Sequence, residues 1–307
     1  MKASGIGGQA VMEGIMMKNK DAYALAVRLP NQEIKVETGE YPGMLAGRKF
    51  RKLPFIRGVF NFMDSLILGT GTLMRSSLLC EDEETAEEPT EEEKAKQEKS
   101  DQVYVTVTVV FSVVIAVGLF MLLPLGISGF FRRFVTSSAL MAVIEGATRL
   151  LIFVAYIWLI SRMKEIQRVF MYHGAEHKCI NCIEHGMELT VENVRSSSRQ
   201  HKRCGTSFLF IVILVSIAVG FFIQTGNVWY RLIIRLLLLP VIAGVSYEFI
   251  RLAGRSESGL VNALSKPGLW MQKMTTKEPD DSMIEVAIAA VEAVFDWKAF
   301  LAEGTKG

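Results

Sequence analysis

Cysteine and histidine are both scarce, with four of each among 307 residues. In a reducing cytoplasm, clustered cysteines act as metal ligands or free thiols rather than disulfides, and Cys80 lies far from the other three. The extreme N-terminus carries no apolar run, so no cleavable signal peptide is expected and the first long hydrophobic stretch is the expected insertion signal. The phosphate-binding fingerprint G-x-x-x-x-G-K-S/T is missing, as is any internal repeat of domain size. Net charge is only +2. The basic residues follow the flanks of apolar segments, where anionic lipid accounts for them, so no nucleic-acid partner is expected.

What the chain does have is apolar surface: half of it is hydrophobic, with a mean hydropathy of +0.29. Val103–Leu123 is free of charge, and about 20 such residues cross a hydrocarbon core of roughly 30 Å. Ala139–Ile160, Thr206–Ile223 and Leu232–Ile250 are similar with a few polar groups, which predicts four transmembrane helices. The segment after the second span carries Arg162, Lys164, Arg168, Lys178, Arg195, Arg199, Lys202 and Arg203, whereas Pro124–Ser138 and Gln224–Arg231 carry only Arg132, Arg133 and Arg231. The positive-inside rule then places that segment and both termini in the cytoplasm.

Four regions are expected. Residues 1–79 form a small cytoplasmic module in which Ala22–Leu29, the Pro30-Asn-Gln32 turn and Glu33–Glu37 read as a hairpin. Within it, Phe55–Leu79 reads as an amphipathic helix at the membrane surface; a fifth span there would invert the topology. Residues 80–102, rich in Glu, read as a solvated linker. The transmembrane domain covers 103–250 with an inter-span loop at 161–205, and 251–307 forms a helical cytoplasmic tail in which Asp280-Asp-Ser282 reads as the capped start of a helix running on from Met283. The fold class expected is mainly α: a polytopic helical membrane protein with a small β-containing N-terminal module.

The inter-span loop holds all four histidines and three of the cysteines. His173-Gly-Ala-Glu176-His177 has H-x-x-E-H spacing, which on a helix sets both imidazoles and the carboxylate within about 100° of one another. Two imidazoles at i and i+4 can grip one ion, and Glu176 can serve as ligand, orienter or general base. His201 and Cys204, at the mouth of the third span, add two donors, so His173, His177, His201 and Cys204 form a ligand set for a divalent metal, zinc being the expected ion. His185, Glu184, Glu188 and Glu192 are further donors in the same loop. A rival pattern, Cys179-x2-Cys182 with His201-x2-Cys204, would close a tetrahedron around structural zinc.

Outside the loop, Glu145 and Arg149 sit at i and i+4 inside the second span, as a mutual ion pair or a polar path. Glu248 is expected at the interface and Arg235 to snorkel. Glu13, in the glycine-rich Ile6–Gly14 segment, marks a binding loop or a tight turn.

Gly7–Lys18, Phe170–Lys178, Leu189–Val194, Arg203–Phe208 and Thr275–Pro279, in this order over nearly the whole chain, closely resemble the bacterial DUF1385 family. The resemblance implies a polytopic membrane protein predicted to be metal-dependent, and points to His173, Glu176, His177, His201 and Cys204. The family pattern does not usually have cysteine at positions 179 and 182, which weighs against the closed Cys/His shell. The expected function is a metal-dependent membrane enzyme, a hydrolase attacking an ester, amide or phosphate of a membrane-associated substrate, with the lipid bilayer as its surroundings and self-association left open. A non-catalytic scaffold or transporter accessory with a structural metal is the alternative, and a transporter using Glu145 and Arg149 the third reading.

Overall fold

The computed structural model describes residues 3–81, 103, 106–223, 227–256 and 258–304. The expected acidic linker falls outside them from residue 82 to 102, while its first two residues, Cys80 and Glu81, are helical. Packing divides the chain into two compact units, one built from Met1–Glu81, Ile157–Val212 and Pro240–Gly307, the other from Asp82–Tyr156 and Ile213–Leu239.

The first unit begins with a four-stranded antiparallel meander, β1 Gly7–Val11, β2 Gly14–Asn19, β3 Ala22–Arg28 and β4 Ile34–Glu40, in the order β1-β2-β3-β4. The anticipated hairpin is β3–β4. The glycine-rich segment before it, expected as a loop or turn, supplies two more strands. Its glycines permit close approach: Gly8 lies against Met17 and the Glu176 carboxyl, where a Cβ would collide. The turn between β1 and β2 puts Glu13 in the left-handed region at φ 47°, a conformation costing about 1 kcal/mol or more outside glycine. Its carboxylate is clamped by Arg168, whose Nε lies 2.5 Å away, so the turn is anchored to the helix beneath it.

Ten helices follow among the described residues. Helix α1, Ile56–Glu81, presents Leu68 and Leu79 to one sheet face, where they meet Val11, Met16, Leu25 and Val27. On the opposite face Ile15, Met17 and Ala26 pack against Ala175, Cys179, Ile180 and Ile183 of α4, Lys164–Glu184, and against Ile284, Ala287 and Val291 of α9, Asp281–Glu292. The alternation of side chains along β2 and β3 divides these two cores. Asp280 caps α9 by accepting from Met283 N at 3.0 Å. Between α4 and α9 run α5, Val191–Ser196, the ends of the apolar helices, and α8, Gly259–Thr275; α10, Trp297–Gly304, closes the chain.

Among the described residues four helices are long and apolar enough to cross a membrane: α2 Thr106–Phe131, α3 Ser138–Ile160, α6 Gly205–Phe222 and α7, whose apolar part is Trp229–Ala253 of Val228–Ala253. Helix α2 runs past the expected stop at Leu123. A wide π turn at Gly118–Leu122 precedes Pro124 and relaxes the clash a proline ring makes with the preceding turn. In the second unit Phe120 stacks edge-on against Phe153 and Tyr156. Arg235 does not snorkel there. It is buried against Glu145.

Helix α4 has the tightest constraint. From Gly174 to Glu184 every residue is buried, and a Cβ on Gly174 would strike the Lys277 carbonyl and Pro279. Gly174→Ala should therefore destabilise the purified protein by about 2 kcal/mol in thermal unfolding, while Gly71→Ala in α1, where the added methyl meets nothing, should be neutral or slightly stabilising. Equal effects of the two would refute the packing described for α4.

Candidate metal centre

His173 and His177 project from one face of α4 with ring centroids 4.4 Å apart. Each ring is fixed by a backbone carbonyl: His173 Nδ1 lies 2.9 Å from Thr275 O and His177 Nδ1 2.6 Å from Arg199 O. A carbonyl only accepts, so each Nδ1 carries the hydrogen and each Nε2 is left to face inward. Cys204, immediately before α6, brings its Sγ to 3.2 Å from His173 Nε2. One donor atom from each of the three residues lies within 4.8 Å of the others. Zn–S bonds of about 2.3 Å and Zn–N bonds of about 2.0–2.1 Å set tetrahedral ligands roughly 3.3–3.6 Å apart, a spacing that the 3.2 Å Cys204–His173 pair approaches.

The carbonyls that orient the rings are themselves held. Lys178 Nζ donates to Arg195 O at 2.7 Å and Ser197 O at 3.0 Å, and Asn181 Nδ2 donates to Ser198 O and Gln200 O. These bonds bracket Arg199 from α4. Gln272, fully buried, accepts from His201 N at 2.9 Å and donates to His201 O and Ser207 Oγ, both at 2.7 Å, pinning the end of α8 to the segment leading into α6. Thr206 N and Oγ1 approach the Cys204 sulfur at 3.4 and 3.1 Å, as suits a thiolate at a helix start.

Electrostatics favour that charge. Burial alone would push the Cys204 thiol up, but the His173 and His177 rings beside it draw it well below its ordinary value. Burial also disfavours charge on the imidazoles, and the neighbouring sulfur outweighs it and raises both. Two aligned nitrogens and one thiolate make a borderline-soft donor set. A metal entering it displaces protons.

The other expected site residues stand around this trio. Glu176 faces β1, where its Oε1 accepts from Gly8 N at 3.0 Å. His201 has its ring centroid 5.9 Å from that of His177 and its Nε2 3.4 Å from Glu184 Oε2. Cys179 and Cys182 are buried in the apolar core; burial drives the Cys179 thiol well above its ordinary value and Cys182 up to about 11. The rival Cys/His shell is not assembled among the described residues. Unforeseen were the backbone carbonyls of Arg199 and Thr275, the contacts of Thr206, and Gln272. Carbonyls carry no residue-type signal, although Thr275–Pro279 stood out as a block.

Residues 53–297 match the family described as a protein of unknown function, DUF1385. The chain belongs to that family. A relative in Bacillus subtilis (strain 168), the uncharacterized protein YqhQ, is 35% identical over 310 residues, covering 98% of this chain and 95% of its own. No solved structure matches.

Glu184 holds the wall of the site. Burial would raise its carboxyl, but His201, Arg203 and the Ser4 backbone and hydroxyl stabilise the anion and bring it down to about 2 from 4.5. The contribution is complete above the unfolded value and is lost as pH falls toward 2; discounted for solvent screening it is on the order of 1–3 kcal/mol. Glu184→Gln should lower stability by that order at neutral pH. The gap from wild type should close between pH 4.5 and about 2, read by thermal unfolding in detergent. Parallel pH curves would show that the carboxylate has no such role.

Proposed function

We propose that the chain spans the bacterial cell membrane four times, keeps both termini and the His/Cys centre in the cytoplasm, and uses that centre as a metal-dependent hydrolase on a membrane-associated substrate. The observation carrying the reading is that three donors converge, the number a catalytic zinc site draws from its protein, leaving a fourth position for water or substrate. A divalent ion there supplies a Lewis acid and lowers the pKa of a water molecule. His173, His177 and Cys204 hold it, and the carbonyls of Thr275 and Arg199 fix the rings. Glu176, held beside the rings by Gly8, is the proposed proton acceptor, and His201, engaged by Glu184, stays outside the shell so that the fourth position is left open. The basic residues flanking the spans support the orientation.

The alternative is a structural metal in a scaffold, which needs a saturated shell. A second reading rests on the 3.2 Å Cys204–His173 contact, which a thiolate nucleophile and its imidazole base would also show.

Metal analysis of full-length, detergent-purified protein separates the three. The proposed enzyme carries one zinc per chain, lost in His177→Ala and Cys204→Ser but retained in Glu176→Gln and in the Cys179→Ser, Cys182→Ser double variant. Its cobalt-substituted form shows a thiolate charge-transfer band that shifts when a small anion such as azide is added. A band indifferent to azide indicates the scaffold. Metal-free protein after expression with zinc, still monodisperse, favours the nucleophile. With metal retained, Glu176→Gln should lower the rate about 10²–10⁴-fold, read as failure to complement a deletion strain at normal abundance.

A further inference from the structure

The second unit contains a charged cluster that the metal centre does not use. Glu145 of α3 receives three guanidiniums: Arg149 Nη2 at 3.1 Å, Arg231 Nη1 at 3.4 Å and Arg235 Nη1. All four side chains are at most 7% exposed. One carboxylate against three guanidiniums leaves a net charge of +2 (three minus one). A cavity opens beside them, bordered by Ser128, Arg132, Glu145, Gly220, Arg231 and Arg235, with Arg132, itself exposed, adding a fourth positive charge at its edge.

An uncompensated pair of charges inside a helix bundle is costly. Arg149 is well served: its Nε donates to Phe120 O at 3.2 Å and its Nη1 to Ser216 Oγ at 3.0 Å. Arg235 is not. Its Nε is buried without a hydrogen-bond partner among the described residues, and its Nη2 passes over Gly220, where a Cβ would sit 3.4 Å away. A guanidinium with donors to spare, buried beside a second and facing a cavity, presents the planar fork that matches an oxyanion.

We propose that this cavity binds a phosphate-class anion, the phosphate of a membrane lipid headgroup. Depth supports the lipid as source. Arg235 lies seven residues into α7 and Glu145 seven residues into α3, about 10 Å from the helix ends at 1.5 Å per residue, while Arg132 directly follows α2. That is within reach of a headgroup from the end of the bundle carrying the short connections. The proposal rests on the spanning arrangement put forward above but not on the metal centre, so metal content is unaffected by its failure.

The experiment is thermal unfolding of the full chain in a neutral detergent, titrated with dioleoyl phosphatidic acid, with dioleoylglycerol as the phosphate-free control and with inorganic phosphate. The expected result is a rise of about 5 °C or more at saturating phosphatidic acid, none with dioleoylglycerol, and little with inorganic phosphate. A comparable rise with inorganic phosphate supports the anion site and transfers its source to free phosphate. Arg235→Gln should weaken the lipid effect about tenfold in apparent affinity. Glu145→Gln removes the competing carboxylate and should strengthen it. If Arg235→Gln does not fold, the wild-type titrations still decide. Equal responses to phosphatidic acid and dioleoylglycerol, or no response to any anion, would overturn the proposal, as would weaker binding by a folded Glu145→Gln protein.

Discussion

Two hydrogen bonds hold the candidate centre in shape: His173 Nδ1 to Thr275 O and His177 Nδ1 to Arg199 O. Each selects the tautomer that turns Nε2 inward, and each draws on a different part of the chain. Thr275 ends α8, and Arg199 lies in the connection between α5 and α6. The site is therefore complete only when the tail and the inter-span segment have both docked on α4. The three donors are brought together by that docking.

That docking explains why α4 is polar in sequence yet buried in structure. Glu176, Lys178, Asn181 and Glu184 lie within a run of buried residues, a composition that an apolar-inside reading would send to the surface. Each has a partner: Gly8 N, the carbonyls around Arg199, and the Ser4, Arg203 and His201 group. Burial is tolerated because the bonds are made. The backbone that receives them is thereby fixed, including the carbonyl that orients His177.

The four apolar helices and the capped start of α9 were legible in the sequence, since long uncharged runs and an Asp before an alanine-rich stretch are local signals. The β3–β4 hairpin was legible for the same reason. β1 and β2 were not, because Gly8 and Gly14 read as loop residues when their task is to let the strands approach Glu176 and Val27. Helical spacing pointed to His173 and His177, and position at the mouth of a span pointed to Cys204. The same reasoning could not see that Glu184 engages His201 or that Arg231 and Arg235 join Glu145, because those pairings depend on long-range packing. The double cysteine at 179 and 182 mimicked a ligand motif, although both thiols serve as small apolar groups in the core.

X-ray absorption at the zinc edge of the purified full-length protein reads the donor set directly. The account predicts one sulfur at about 2.3 Å, two imidazole nitrogens at about 2.0–2.1 Å, and a single further light atom completing the shell. Two or more sulfurs, or a shell with no imidazole scattering, would contradict it.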